Sequence, residues 1–202
     1  AGEPDAKMLE VEVKYVLENE TAFHERLVGM GAEPGDPEEH SDTYLRHPSR
    51  DFVSTNEALR IRRINSVASV TYKGPKLPMG NAALKARKEI EWCLAPNDAD
   101  GSQMTDLLLS LGFSVVATVE KHRLSYSWPD NDPRHSPFSV TLDRVNHVGM
   151  FAEVELLIDE TGGEQASQAG TQIEQLAGKL GLTRTVRESY LELFLKKRDA
   201  SS

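Results

Sequence analysis

The sequence predicts an α+β fold in which strands close into a barrel around a charged cavity and helices cover the outside. Three observations predict it. In "MLEVEVKYVL", Met8 to Leu17, the residues Glu10, Glu12 and Lys14 alternate with Leu9, Val11, Val13 and Tyr15, the two-residue period of a β-strand with one charged and one apolar face. The same alternation recurs in later segments, and between them lie stretches of helical spacing that end at Gly31, Gly112 and Gly181.

Taken in order, residues 9–17 read as the first strand, and 21–31 as a short helix with Phe23, Leu27 and Met30 on one face. Strands follow at 41–46 ("SDTYLR"), 58–64 ("ALRIRRI") and 67–73 ("VASVTYK"). The loop "GPKLPMGN" leads to a strand at 86–94, "ARKEIEWCL", and then to a leucine-rich helix at 99–112. Strands at 115–127 and 138–146 flank "WPDNDPRHSP", whose prolines exclude regular structure. A strand at 151–158 ("FAEVELLI"), a helix at about 165–181 and a last helix at 187–197 complete the chain. An E-x-E strand followed by a helix ending in Met-Gly or Leu-Gly occurs three times, at Glu10/Glu12, Glu89/Glu91 and Glu153/Glu155. The unequal spacings make this a recurring strand–helix arrangement and not a solenoid.

At 202 residues, with 39% hydrophobic and 27% charged residues, the chain fits a single soluble domain. Residues 1–7, "AGEPDAK", lack the apolar core of a signal peptide and read as an extension outside the domain. No apolar run approaches the roughly 20 residues needed to span a bilayer, so no membrane partner is expected. Cys93 is the only cysteine, which rules out an internal disulfide and makes the cytoplasm the expected location. A net charge of -9 argues against a general nucleic-acid surface. Any anion must then be held by a local cluster of cations.

That cluster is visible in the alternation. Arg60 and Arg62 share a face, as do Thr71 and Lys73, and Arg87, Glu89 and Glu91. Lys121 and Arg123 stand two apart, as do Glu153 and Glu155, and Asp143 follows Leu142 near a strand end. For one strand a solvated outer face explains charges of this kind. Repeated same-sign pairs do not suit an idle surface, because like charges two apart repel. Lining a cavity, they would be costly unless a highly charged ligand or metal compensated them. Arginine and lysine offer charge-assisted donors for phosphate oxygens. Carboxylates without neighbouring Cys or His favour Mg²⁺ or Mn²⁺ over zinc, and the six histidines show no H-x-H or H-E-x-x-H spacing. A triphosphate carries roughly four negative charges, which two divalent ions would balance. Trp92, Trp128 and Cys93 read as buried structural residues, and "DND" at 130–132 lacks the glycine and glutamate of a calcium loop.

These residues resemble the CYTH superfamily, the triphosphate tunnel metalloenzymes, whose mark is an N-terminal E-x-E-x-K strand, here Glu10 to Lys14. The segments "LRIRR", "TYKGPK", "RKEIEW", "VEKHRLSY", "VTLDRVNHVGMFAEVEL" and "ESYLELFL" are similar to the bacterial class IV adenylate cyclase branch. The resemblance spans nearly the whole chain and implies an antiparallel barrel of about eight strands enclosing a charged tunnel. Carried over by position, it implies that Glu10, Glu12, Asp143, Glu153 and Glu155 bind two ions of Mg²⁺ or Mn²⁺, with Glu89 and Glu91 binding metal or orienting cations. It implies a triphosphate cradle of Lys14, Arg60, Arg62, Lys73, Lys76, Arg87, Lys121 and Arg123. Glu12, Lys14, Arg62, Lys73 and Glu155 stand closest to the chemistry, and Asp42 and Tyr44 match a family segment. The activity implied is conversion of ATP to 3′,5′-cyclic AMP and pyrophosphate. The alternatives are hydrolysis of inorganic triphosphate, thiamine triphosphate or a nucleotide γ-phosphate, and a non-catalytic polyphosphate-binding module. A homodimer is usual among similar cyclases.

Overall fold

A computed structural model of the chain describes residues 8–75, 88–159 and 163–200. Among the described residues ten strands form one antiparallel sheet. They are β1 (Met8–Val16), β2 (Glu33–Pro34), β3 (Glu38–Arg46), β4 (Ala58–Ile64), β5 (Val67–Lys73), β6 (Glu89–Cys93), β7 (Ser114–Ser127), β8 (Phe138–Val145), β9 (Gly149–Asp159) and β10 (Thr185–Val186). The helices are α1 (Glu20–Gly29), α2 (Ser102–Ser110), α3 (Gly163–Leu180) and α4 (Tyr190–Ala200). None of them is long and apolar enough to cross a membrane.

The sheet runs β10-β1-β9-β8-β7-β3-β4-β5-β6, with β2 added on β7. It is an open path, which corrects the closed barrel of about eight strands. Among the described residues β6 pairs only with β5, and the outer edge of β1 is taken by β10, through Lys14 opposite Val186 and Tyr15 opposite Thr185. β10 takes only the C-terminal end of that edge, and among the described residues no pairing of β1 with β6 closes the sheet. The sheet still curves enough for Glu10 of β1 to feel the charges of Lys73 on β5 and Glu89 on β6.

Alternation sorts the two faces. On the convex side Val11, Val13 and Tyr15 of β1 join Ala152, Val154 and Leu156 of β9 beneath Phe23 and Leu27 of α1 and Ile173, Leu176 and Leu180 of α3. Asn19 caps α1, its side-chain oxygen accepting from the Ala22 amide at 3.0 Å. A smaller group, Leu45, Ile61 and Ala68, is covered by Met104 and Leu108 of α2. Trp128 is buried as expected, its indole N–H donating to the Met30 carbonyl at 2.9 Å. Trp92 and Cys93 are not: the whole of β6 is exposed, and Trp92 retains 73% of its accessible surface. An edge strand with no helix over it leaves its outward residues uncovered.

One helix departs from the expected arrangement. The first turn of α4 packs on the concave side, where Tyr190 meets Tyr44, Val119 and Phe151. Ser189 and Glu192 fix its start: the Ser189 amide donates to the Glu192 carboxylate at 2.6 Å and the Glu192 amide to Ser189 Oγ at 3.2 Å, a capping box that satisfies helix donors reciprocally.

Candidate functional site

The concave face carries a cavity of about 250 Å³. Strand register explains its charge. Opposite residues of an antiparallel pair share a face, and the pairs here are Asp42 with Arg62, Lys73 with Glu89, Arg123 with Asp143, and Lys14 with Glu153. Each joins opposite charges. Glu12 with Glu155 joins two like ones.

The cations are anchored from behind by two aspartates. Asp42 accepts from Arg62 Nε and Nη2, both at 2.7 Å, and from Arg60 Nη1 at 3.3 Å. Burial acts to raise its carboxyl, but Arg60 and Arg62 outweigh burial and hold it well below the usual carboxylate range. Asp143 has no exposed surface. It accepts from Lys121 Nζ at 3.1 Å, Arg123 Nε at 2.7 Å and the Tyr190 hydroxyl at 2.8 Å. Burial would raise this carboxyl too, and Arg123 and Lys121 bring it below the ordinary value. Lys121 is pushed down to about 8 by burial first and the neighbouring Arg123 second. The Lys14 ammonium lies 3.8 Å from the centre of the Tyr190 ring and 3.6 Å from Glu153, and it donates to the Glu188 carbonyl at 3.1 Å. These groups are held in place before any ligand arrives.

The carboxylate side of the cavity is different. Burial first, then Glu155, Glu12 and Glu89, raise the Glu10 carboxyl to about 7. Glu155 is raised by burial, Glu12 and Glu153. The donors are all carboxylate oxygens in mutual repulsion, a set suited to a hard divalent cation. They are crowded without converging: among the described residues no three acidic, histidine or cysteine side chains stand together as a ready-made cage.

A pH dependence follows. A carboxyl free in the unfolded chain at about 4.5 and raised to about 7 in the fold keeps its proton only in the folded state between those values. Its contribution to stability therefore falls as pH rises through that window and is fully lost above about 7. His40 opposes it: burial lowers its imidazole to about 4, so the fold gains stability as pH rises towards 6.5. The two slopes partly cancel in the native protein, and a difference measurement isolates Glu10. Glu10→Gln is expected to gain thermal stability over the native chain progressively from pH 5 to pH 7 in metal-free buffer. A constant offset across that range would refute the raised carboxyl.

Glu10, Glu12, Lys14, Arg60, Arg62, Lys73, Glu89, Glu91, Lys121, Arg123, Glu153 and Glu155 all line the one cavity. Asp143 does not; it lies beneath the lining among cations. Lys76 and Arg87 lie outside the described residues. Sequence reasoning gave no role to Tyr190, Glu57, Phe52 or Asn56, all of which reach the cavity. Tyr190 had a readable signal, since Ser189 and Glu192 stand at capping-box spacing around it. The others sit in a loop where alternation carries no information.

Comparison with known proteins bears on this site. The family described as CYTH domain matches residues 8–190. A Methanocaldococcus jannaschii protein, provisionally named an adenylate cyclase, is 30% identical over 188 residues, spanning 92% of this chain and 98% of its own. Adenylate cyclase CyaB of Aeromonas hydrophila is 26% identical over 183 residues, spanning 89% of this chain and 84% of its own. Among solved structures, a Pyrococcus horikoshii protein superposes with a TM-score of 0.77 at 36% identity, covering 94% of this chain and 99% of its own.

Proposed function

The chain belongs to the CYTH domain family, and on that premise we propose that it is a divalent-metal-dependent adenylate cyclase, converting ATP to 3′,5′-cyclic AMP and pyrophosphate. The observation that carries the reading is the division of one cavity into cations anchored by Asp42 and Asp143 and carboxylates crowded around the Glu12–Glu155 pair. A metal-bound triphosphate is complementary to both parts. The names of the archaeal and Aeromonas relatives support cyclisation over other triphosphate chemistry.

In this reading Lys14, Arg60, Arg62, Lys73 and Arg123 receive the phosphate oxygens. Asp42 takes the Nε and Nη2 edge of Arg62, which fixes the plane of the guanidinium and leaves its other edge for the ligand. Because Asp42 already holds Arg60 and Arg62, and Asp143 holds Arg123, these arginines lose little side-chain freedom on binding. Asp143 acts as the anchor of Lys121 and Arg123. Glu10, Glu12 and Glu155, with Glu153 shared between Lys14 and Arg123, would hold Mg²⁺ or Mn²⁺. Such an ion, when bound, would acidify the ribose 3′-hydroxyl and offset charge on the leaving pyrophosphate. In the reaction the 3′-oxygen bonds to the α-phosphorus, the bond to pyrophosphate breaks and the hydroxyl proton passes to solvent. The cradle's part is to hold the phosphates while charge shifts towards the leaving group.

The test is incubation with ATP, inorganic triphosphate and thiamine triphosphate, each with Mg²⁺ or Mn²⁺, with products resolved by chromatography. Cyclic AMP together with pyrophosphate is expected from ATP. Orthophosphate alone would assign the same cavity to triphosphate hydrolysis, and no turnover with either metal would leave a binding module.

A further inference from the structure

The loop of residues 47–57, between β3 and β4, is built with more internal bonding than a simple connection needs. His47 Nδ1 accepts from the amides of Ser49 and Arg50 at 3.1 and 3.0 Å. The Asp51 carboxylate accepts from the Val53 amide at 3.0 Å, and its carbonyl accepts from the hydroxyls of Ser54 and Thr55. At the base of the loop the Glu57 side chain has no exposed surface and accepts from Arg50, Thr55 and the Tyr72 hydroxyl. The Phe52 ring is set 5.6 Å from that of His47 and 6.5 Å from that of Tyr72.

This scaffold holds Phe52, Val53 and Asn56 against the charged cavity. Phe52 and Val53 offer no donor to phosphate. Val53 keeps 87% of its surface exposed, although it is apolar and sits at a cavity mouth. Asn56 is exposed and has a left-handed backbone, φ 56°, a conformation asparagine tolerates. Its amide finds no side-chain partner among the described residues, in a loop where most other polar groups are satisfied. Leu191, in the first turn of α4, adds a further apolar side chain to the lining.

We propose that this loop is the subsite for the nucleobase of the substrate, with Phe52 stacking on the base and the Asn56 amide reading its edge. The proposal rests on the reading of the substrate as a nucleoside triphosphate and says which part of the site tells it from inorganic triphosphate. A phenyl ring accepts the flat face of any base. A side-chain amide presents one acceptor and two donors, which suits the mixed edge of a base and has no use against phosphate oxygens beyond its donors. The charged part of the cavity supplies affinity common to all triphosphates, and the loop supplies the difference between them.

The test uses two probes with Mg²⁺: inorganic triphosphate, and ATP with both anhydride oxygens replaced by methylene groups. Dissociation constants are measured for the native chain, Phe52→Ala, Phe52→Leu and Asn56→Gly. Glycine is chosen because it keeps the positive φ while removing the amide. Loss of base stacking is expected to weaken the ATP analogue by about fivefold or more and to leave inorganic triphosphate within about twofold. Phe52→Leu keeps the apolar bulk of the loop and serves if the alanine variant does not fold; it should recover only part of the lost affinity, since it lacks the flat ring. Equal weakening of both probes would make the loop a structural element only, and no weakening of either would remove it from the site. Both outcomes overturn the subsite while leaving the phosphate cradle standing. Failure of the native chain to bind either probe would instead overturn the triphosphate reading, and the subsite with it.

Discussion

Glu12→Gln and Glu155→Gln are each expected to cut turnover by about a hundredfold or more at limiting Mg²⁺ while leaving the fold intact. The magnitude follows from the several kcal/mol that a bound divalent ion contributes to charge stabilisation, at about 1.36 kcal/mol per tenfold in rate. The intact fold follows from register. Glu12 stands directly opposite Glu155, and Glu155 in turn helps to raise Glu10 to about 7. Removing one charge from this group relieves repulsion, so the melting temperature in chelator should be unchanged or higher. Glutamine keeps the shape and one oxygen, which separates lost charge from lost packing. The expected signature is therefore double: unchanged or higher apo stability with a raised Mg²⁺ requirement. A variant with near-native activity at limiting Mg²⁺ would remove that residue from the metal site, and a lowered melting temperature in chelator would show that the carboxylate is held by cations and not by repulsion.

The charged face was legible because period-two alternation is a local property. Arg60 and Arg62 could be placed on one side of β4, and Thr71 and Lys73 on one side of β5, without knowing what either strand pairs with. The bounds of β4 and β5 match the expected 58–64 and 67–73. What alternation cannot give is the partner of an edge. β10 is the two residues Thr185–Val186, too short to show a period, yet it takes the Lys14–Tyr15 end of the outer edge of β1. β2, Glu33–Pro34, escaped for the same reason. The ion pairing behind the face was equally non-local. From sequence, Arg60 and Arg62 repel, and Arg62→Ala looks neutral or mildly stabilising to the free protein. The structure reverses that sign, because Arg62 makes two 2.7 Å bonds to the buried Asp42 of the neighbouring strand. Asp42 stands out in "SDTYL", but nothing within β3 tells that its partner across the ladder is Arg62. Tyr190 and the 47–57 loop lie on a helix turn and a connection, where side-chain direction is set by capping and loop hydrogen bonds instead of a strand period.

Asp143→Ala is expected to have the largest effect on stability of any substitution at the site. The carboxylate is fully buried and accepts from Lys121, Arg123 and the Tyr190 hydroxyl. Removing it leaves the buried Lys121 ammonium beside the half-buried Arg123, which keeps Glu153 as a partner, and breaking a buried pair from one side costs about 3–5 kcal/mol. In a chain of this length that lowers the melting temperature by roughly 10 °C, at about 2–4 °C per kcal/mol. The loss has a sign in pH as well. Lys121 is pushed down to about 8 even with Asp143 helping to hold its proton; without that carboxylate it falls further and loses its charge nearer neutrality. Triphosphate affinity in the variant should therefore decline between pH 7 and 8, where the native chain changes less. These readouts decide between two roles for Asp143. As an anchor of the cradle it governs stability and the charge of Lys121, and the Mg²⁺ concentration for half-maximal activity moves little. As a metal ligand, the role the resemblance implies, it would raise that Mg²⁺ concentration steeply, and its removal would cost the metal-free protein far less. Unaltered stability with a large Mg²⁺ shift would sink the anchor role; the bonds that Lys121, Arg123 and Tyr190 already make to both carboxylate oxygens argue for the opposite result.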